Sequence, residues 1–247
     1  MNKFSLAVAA SLLVLGASAC KKEPTAANDS PSAAPVQAPN GDWSKLVSQT
    51  SEGGMLMGNP QAKVKIVEFG SMSCSHCAEF SKEGEPKLVE NYVKTGNVSF
   101  EFRNFVRDPL DISASLITRC VGATPQFFDL TNGIYADQKS FFDRLQAVPQ
   151  QQLAALQGMT PAQQFTKMAQ FAGLQEWAAQ RGVPSGKSSQ CLTNQAEIDR
   201  LVQMVSDASS QYTIEGTPTF LLNGEVVEIT AGTPTWDQLE GAIKKAL

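Results

Sequence analysis

Two cysteines three positions apart, Cys74 and Cys77, determine where a strand must meet a helix in this chain. The apolar, β-branched segment 63–69 before them is typical of a buried strand, and the segment 77–92 after them consists mainly of good helix formers, with a break expected near Pro86. Residues three apart are neighbours across one helical turn, so the two sulfurs could close a small disulfide ring. The pattern predicts a strand, a turn that holds both cysteines, and a helix that begins at Cys74.

The predicted position of Cys74 favours the ionised form of its thiol. Unpaired N–H groups and the helix dipole attract an anion at a helix N-terminus, and His76, the only histidine of the chain, would add a positive charge near the sulfur. Such surroundings lower a cysteine pKa from about 8.5 to roughly 3.5–7.5. Stabilising the reduced form makes the disulfide a stronger oxidant, by ~30 mV for each ~1.4 kcal/mol. We therefore expect a redox pair that passes its disulfide on.

Two other uses of this pair are less favoured. A structural zinc site needs about four ligands, whereas the other cysteines are single and distant and no second histidine exists. We therefore expect no metal. A purely structural bridge between Cys74 and Cys77 would close too short a loop to stabilise the fold much.

The first residues have the pattern of an export signal. Lys3 is followed by the apolar run 4–19, which ends in small residues and is too short for a membrane span of about 20 residues. Residues 1–19 are thus predicted to be a signal peptide. Segment 16–20 resembles a bacterial lipoprotein signal, in which Cys20 would carry the lipid, although ordinary cleavage after Ala19 would leave Cys20 as a free thiol. Either reading predicts export to an oxidising compartment.

Composition and hydrophobic pattern divide the rest of the chain. Residues 20–42 are rich in Pro, Ala, Ser and Asn and are predicted to be a disordered tether. The net charge of −4, without basic runs, argues against nucleic-acid binding. The folded part is expected to begin at Trp43, and the pattern after it predicts the following elements: an edge strand at 55–57, a strand at 98–106, helices throughout 109–212, a hairpin at 219–229 around Asn223-Gly224, and a last helix after Pro234.

Helical periodicity also predicts which residues are buried. Thr160 and Gln163 are expected to form a capping box, and Asn194 and Glu197 repeat the pattern. The inward-facing residues of the two helices that follow are predicted to be Phe165, Met168, Ala172, Ile198, Leu201, Val202 and Val205. The inward face of the last helix is predicted to contain Trp236, Leu239 and Ile243.

The order of these elements resembles the thioredoxin fold. The cysteine pair follows the first long strand, and segment 216–219 (Gly-Thr-Pro-Thr) precedes the hairpin. With its helical block, the chain is similar to the DsbA-like thiol:disulfide oxidoreductases of the bacterial periplasm. The resemblance implies an α/β thioredoxin fold, formed by residues 43–107 and 213–247, with an inserted α-helical domain at 108–212.

The resemblance also implies roles for individual residues. Cys74 would be the exposed nucleophile, and Cys77 would be the partner that closes or resolves the mixed disulfide. Pro218 would be a cis-proline beside which the backbone of Thr217 binds substrate by strand addition, and Glu68 would be a buried acid that exchanges a proton with Cys77. Arg103 is a suggested ion-pair partner of Glu68. Cys120 and Cys191 would form a second, structural disulfide, or else remain buried free thiols.

The family function implied is oxidation of dithiols in exported proteins that are unfolded or still folding. A DsbB-type, quinone-linked membrane protein would reoxidise the pair, no cofactor would be needed, and we expect a monomer held at the membrane by a lipid on Cys20. Threonine at 217 also occurs in isomerase and reductase branches, so a disulfide reductase or isomerase is the first alternative. A copper-handling lipoprotein is the second, disfavoured because such sites need a further histidine.

Overall fold

The computed structural model describes residues 37–247. The predicted signal peptide (1–19), Cys20 and most of the predicted tether lie outside the described residues. Regular backbone structure begins with a 3-10 turn at Pro39–Gly41, a few residues before Trp43. From residue 37 onwards, no helix combines the length and the apolar character that a membrane span requires.

A six-stranded mixed sheet forms the centre of the described chain. The strands are β1 (Val47–Gln49), β2 (Met55–Gly58), β3 (Val64–Gly70), β4 (Val98–Asn104), β5 (Thr219–Leu222) and β6 (Glu225–Val227). They lie in the order β1-β2-β4-β3-β5-β6, with β3 and β4 parallel and all other neighbours antiparallel. This topology, with helices on the sheet, confirms the predicted α/β thioredoxin fold.

The central strands are buried on both faces, as expected for a parallel pair. Ile66 of β3 and Phe100 and Phe102 of β4 are almost completely inaccessible to solvent. The predicted edge strand at 55–57 exists as β2, but it lies one position inside the edge because β1, which the sequence did not predict, pairs with its outer side. Phe105 and Val106, predicted to extend β4, lie beyond its end.

Helices cover the sheet and form the block between β4 and β5. They are α1 (Ser75–Glu83), α2 (Glu85–Leu88), α3 (Pro109–Arg119), α4 (Pro125–Gln146), α5 (Gln150–Ala154), α6 (Pro161–Ala172), α7 (Leu174–Ala179), α8 (Ser185–Leu192), α9 (Gln195–Gln211) and α10 (Thr235–Ala246). The break between α1 and α2 falls at Gly84, two residues before Pro86, close to the predicted position. The capping box of Thr160 and Gln163 is present.

The helical block packs directly on the sheet. Phe127 and Phe128, in the first turn of α4, lie against Phe102 and Phe100 of β4, with ring centroids 6.1 and 6.0 Å apart. Residues from the sheet and from the helical block therefore share one hydrophobic core. Burial of these large rings contributes roughly 1.5–3 kcal/mol per side chain. Side chains of the inserted helices can consequently reach the polypeptide around the cysteine pair.

Two of the predicted contacts are wrong. Val202 is 55% exposed, because the inward face of α9 is formed by Ile198, Leu201, Met204 and Ala208. Arg103 does not pair with Glu68: its Nε lies 2.6 Å from Glu101 Oε1. The parallel register places Glu68 beside Phe102 and Phe69 beside Arg103, so that Arg103 and Glu68 project from opposite faces of the sheet.

Candidate active site

Cys74 and Cys77 lie where β3 leads into α1, as the sequence predicts. Cys74 is the N-cap residue of α1, with extended backbone angles (φ −91°, ψ 123°), and its sulfur accepts a hydrogen bond from the Cys77 N–H at 3.4 Å. Both cysteines are free thiols in this structure. The predicted exposure of Cys74 is wrong: the residue is only 5% exposed, because the segment around Thr217 packs against its sulfur. Gly70 ends β3, and a Cβ there would come within 2.3 Å of Phe102. The close packing of Gly70 on β4 fixes the point at which the active-site loop leaves the sheet.

The sulfur of Cys74 has one neighbouring carbonyl that accepts from its protonated form and several hydrogen-bond donors that favour its thiolate. The Sγ–H donates to the carbonyl oxygen of Thr217 at 3.0 Å, and the Thr217–Pro218 peptide bond is cis. The pKa of Cys74 is lowered from 9.0 to about 5, mainly because the Cys77 thiol donates a hydrogen bond to its sulfur. The Thr217 side chain and the N–H groups of Cys77 and His76 lower the pKa further, whereas burial opposes the shift. Cys74 is therefore ionised at neutral pH.

Cys77 has the opposite environment. It is fully buried, and the loss of hydration raises its pKa well above 9.0, an effect increased by the hydrogen bond to Cys74 and by the negative charge of Glu68. Its thiol consequently stays protonated at neutral pH. One helical turn thus separates a stabilised thiolate from a stabilised thiol.

Glu68 lies within β3 and is only 2% exposed. Burial raises its pKa well above 4.5, and the nearby carboxyl of Glu85 and the sulfur of Cys74 add to the shift. Its Oε1 has no hydrogen-bond partner among the described residues. A buried carboxyl with a raised pKa can exchange a proton with a neighbouring thiol.

The ring of His76 points away from the core. Its side chain is 78% exposed, and its Nδ1 lies 3.5 Å from Glu79 Oε2. The backbone N–H of His76, rather than the ring, is among the groups that lower the pKa of Cys74. Within residues 37–247, no three His, Cys, Asp or Glu side chains are close enough together to hold a metal ion.

A polar network that the sequence did not reveal supports the loop before Cys74. Asp111 of α3 is completely buried and accepts hydrogen bonds from the Ser71 hydroxyl (2.5 Å), the Met72 N–H (2.8 Å) and the Arg107 N–H (3.0 Å). The Ser73 hydroxyl donates to Asp108 at 2.6 Å. Burial raises the pKa of Asp111 to about 7, although these donors oppose the shift. The start of α3 thereby anchors the active-site loop.

Helix α4 supports the same loop from beneath. The side-chain amide of Gln138 donates to the carbonyl oxygens of Met72 (2.9 Å) and Cys74 (3.1 Å). One turn earlier, the buried hydroxyl of Tyr135 has no partner among the described residues, and its pKa is raised well above 10 by burial and by the nearby charges of Cys77 and Glu68. In the sequence, these residues are indistinguishable from other polar positions on a helix.

Cys120 and Cys191 are joined by a disulfide, with Cα atoms 5.7 Å apart. The bond links the C-cap of α3 to α8. It lies within the helical block and connects segments 71 residues apart in the chain.

An open groove of ≈ 1080 Å³ lies beside Cys74, since His76 and Thr217, which both neighbour its sulfur, are among the lining residues. Helix α1 contributes His76 and Glu79 to its wall, segment 211–219 contributes Thr217 and Pro218, and segment 224–235 forms the remainder. The volume of the groove is sufficient for a short segment of another polypeptide. The Thr217 carbonyl, beside the Cys74 sulfur, would meet the backbone of such a segment.

Known proteins share this fold, with 20–34% sequence identity. A family model described as Thioredoxin matches residues 50–245. A crystal structure of a protein-disulfide isomerase from Novosphingobium aromaticivorans is 34% identical, with a TM-score of 0.69, and the match covers 77% of this chain and 95% of that one. The structure of Wolbachia pipientis α-DsbA1 (20% identity, TM-score 0.62, coverage 80% and 92%) has the same fold.

A Rickettsia felis protein, provisionally named a protein-disulfide oxidoreductase, is 25% identical over 203 residues. That match covers 82% of this chain but 63% of the relative, so the chain spans less than two thirds of the length of that protein. The family model alone covers well over half of the chain. The chain therefore belongs to the thioredoxin family, with a helical block inserted between β4 and β5.

Proposed function

We propose that this protein is an exported dithiol oxidase that introduces disulfides into other exported proteins through Cys74 and Cys77. The observation that carries the proposal is the opposite ionisation of the two sulfurs. A pKa of about 5 at Cys74 favours the reduced pair, and a couple whose reduced form is favoured is an oxidant. The names of the related proteins from Novosphingobium and Rickettsia are consistent with thiol–disulfide chemistry.

The reaction starts from the Cys74–Cys77 disulfide. A substrate thiolate attacks the Cys74 sulfur, the bond between the two cysteines breaks, and Cys77 leaves with the electron pair. Glu68 then protonates the buried Cys77 thiolate. A second substrate thiolate attacks the substrate sulfur of the mixed disulfide and expels Cys74, which leaves readily as a thiolate because of its low pKa. The substrate loses two electrons, and the cysteine pair gains them.

The other site residues have positioning roles in this proposal. The backbone of Thr217, before the cis bond to Pro218, binds an extended substrate segment by strand addition. His76, exposed at the mouth of the site, would contact the bound substrate, and its backbone N–H would stabilise the thiolate of Cys74. The Cys120–Cys191 disulfide stabilises the helical block and takes no part in exchange.

Location and partners complete the proposal. The predicted signal peptide and a lipid on Cys20 would place the protein in the periplasm as a membrane-held monomer. Its substrates would be exported proteins with free thiols that are unfolded or still folding, and a DsbB-type membrane protein would reoxidise it. No cofactor is required, because the electrons pass between sulfurs.

The proposal is tested by the redox state of the pair. Equilibration with glutathione buffers should give a potential above roughly −180 mV, in the range of the known oxidants. Acid quenching followed by thiol trapping should find Cys74 and Cys77 oxidised in growing cells. A Cys77→Ser variant should accumulate mixed disulfides on Cys74, which also identifies substrates. A strongly reducing potential, with a pair that is reduced in cells, contradicts the oxidase.

An isomerase kept in the reduced form is the second candidate. Two observations favour it: the 34% identity to a protein named a protein-disulfide isomerase, and threonine rather than valine before Pro218. The two functions differ in the active state of the pair. Refolding of a scrambled, fully oxidised protein by the reduced enzyme would support the isomerase, whereas oxidation of a reduced protein by stoichiometric enzyme supports the oxidase.

A further inference from the structure

The groove beside Cys74 has a one-sided charge. Four carboxylates line it, Glu79, Glu215, Glu225 and Glu228, and no lysine or arginine is among its lining residues in the described chain. The first belongs to α1, the second precedes the cis-proline loop, and the last two lie on and just after β6. The negative charge therefore comes from three separate parts of the wall, and a bound segment would meet it along its length.

Three of these carboxylates are exposed and not neutralised. Glu215, Glu225 and Glu228 lie on the surface, and none makes an ion pair within residues 37–247. Elsewhere on the same surface, acidic side chains have cationic partners one helical turn away, such as Glu90 with Lys94 and Glu240 with Lys244. The groove thus keeps three carboxylates without a cationic partner around the place where a substrate would bind.

The negative field of these carboxylates acts on whatever approaches the reactive sulfur. Clefts lined by charge of one sign raise the local concentration of oppositely charged molecules and speed their association, and rim charges act on association rates more than on final affinity. Charges closer than the Debye length of about 8 Å at physiological salt are not fully screened. A substrate segment seated in the groove lies within that distance of the wall.

We propose that Glu215, Glu225 and Glu228 determine the substrate class of the site: cysteines flanked by lysine or arginine react preferentially, and cysteines flanked by acidic residues are disfavoured. This inference rests on the proposed function, since it takes the groove to be the place where substrate polypeptide binds. It adds a charge preference to the strand addition at Thr217, which by itself depends only on the backbone.

The preference can be measured with two reduced peptides of equal length. One carries lysines on both sides of a single cysteine, the other glutamates, and each reacts with the oxidised full-length protein while the loss of the Cys74–Cys77 bond is followed in time. At low salt the lysine peptide should react roughly tenfold faster. The ratio should shrink severalfold in 0.5 M NaCl, because screening shortens the reach of the field. Rates of both peptides with an uncharged disulfide reagent correct for their own thiolate fractions.

Variants assign the preference to the groove. The triple variant Glu215→Gln, Glu225→Gln, Glu228→Gln should bring the corrected ratio of rates close to one. A matched control with the same change of net charge, Glu83→Gln, Glu90→Gln, Glu176→Gln, alters exposed glutamates outside the groove and should retain the preference.

Equal corrected rates in the wild type, or a preference that the groove variant retains, would overturn the proposal. If the control variant also loses the preference, the preference comes from net charge rather than from the groove, and the proposal is overturned as well. Exchange rates can be followed in either direction, from oxidised enzyme or from peptide disulfide. A reducing potential would therefore refute the proposed oxidase while leaving the charge preference measurable.

Discussion

The opposite ionisation of the two sulfurs predicts how the redox potential depends on pH. The pKa of Cys74 is lowered from 9.0 to about 5, whereas that of Cys77 is raised well above 9.0. Between pH 5 and 9 the reduced pair therefore carries one proton instead of two. For a two-electron couple, each proton taken up contributes about 30 mV per pH unit. We expect a slope of about −30 mV per pH unit at neutral pH and about −59 mV below pH 5.

The low pKa also sets the size of the oxidising effect. A shift of about 4 units corresponds to at most ~5 kcal/mol in favour of the thiolate, and that full value applies only above pH 9. At pH 7 only the two units between pH 5 and pH 7 count, which is at most ~2.7 kcal/mol, and solvent screening beside the open groove reduces this to about 2–2.7 kcal/mol. At ~30 mV for each ~1.4 kcal/mol, the potential at pH 7 lies roughly 40–60 mV above that of an unperturbed pair.

Two measurements test this reasoning on the same sample. The thiolate absorbance near 240 nm of the reduced protein, followed from acid to alkaline pH, gives the pKa of Cys74, and equilibration with glutathione buffers from pH 4 to 8 gives the slope. The Thr217 hydroxyl has no partner among the described residues and can donate to the sulfur once its proton is lost. Thr217→Val should raise the pKa and lower the potential by roughly 30–60 mV, the value of one hydrogen bond to a charged group. Thr213→Val, also in the groove wall, is the isosteric control.

Three outcomes would refute the argument. An alkaline pKa for Cys74 would mean that the hydrogen bonds around its sulfur do not favour the thiolate. A slope of −59 mV through neutral pH would mean that both thiols stay protonated. An equal effect of the two threonine substitutions would remove the assigned role of the Thr217 hydroxyl.

Three further predictions concern stability. The folded-state pKa of Glu68 is raised, so the wild type should lose stability as pH rises from about 4.5 through that pKa. Urea unfolding of Glu68→Gln should show a smaller loss over the same pH range. Parallel curves of stability against pH for the two proteins would contradict this role of Glu68. Gln138→Leu leaves two carbonyls of the active-site loop unpaired and should cost about 1–3 kcal/mol, whereas Lys139→Ala, one residue on and exposed, should cost little. Replacing Cys120 and Cys191 by serine should lower the free energy of unfolding by roughly 4 kcal/mol, from the 71-residue separation, and should leave the redox potential of Cys74 and Cys77 unchanged. No loss of stability would mean that the unfolded chain stays compact without this disulfide.

Local signals in the sequence predicted local structure well. Asn223 and Gly224 both have positive φ and form the turn between β5 and β6, as this dipeptide requires. Thr160 caps α6 because its hydroxyl and the following residues suffice for that interaction, whatever surrounds them. The strand before Cys74, the turn that holds both cysteines and the helix after them were likewise predictable from local sequence signals.

Properties that depend on distant parts of the chain were not predictable. Val202 has helical spacing with Ile198 and Val205. However, the elements packed against α9 determine which of its faces is buried, and Val202 lies outside that face. β1 is three residues long and is recognisable only through its pairing with β2. Asp111 is an ordinary first-turn acid in the sequence, and only the tertiary fold brings it under the active-site loop.

These distant contacts assign the inserted helices a part in the chemistry. The thioredoxin fold supplies the cysteine turn and Glu68, but the carbonyl oxygens of Met72 and Cys74 point into the core, where a buried acceptor without a donor costs about 1–3 kcal/mol. Gln138 of the insertion donates to both, and Asp111 accepts from the N–H of Met72. The insertion therefore fixes the loop whose geometry lets Cys74 accept the N–H of Cys77 and contact Thr217. It follows that the low pKa of Cys74 depends on helices that contribute no atom to the sulfur's immediate contacts.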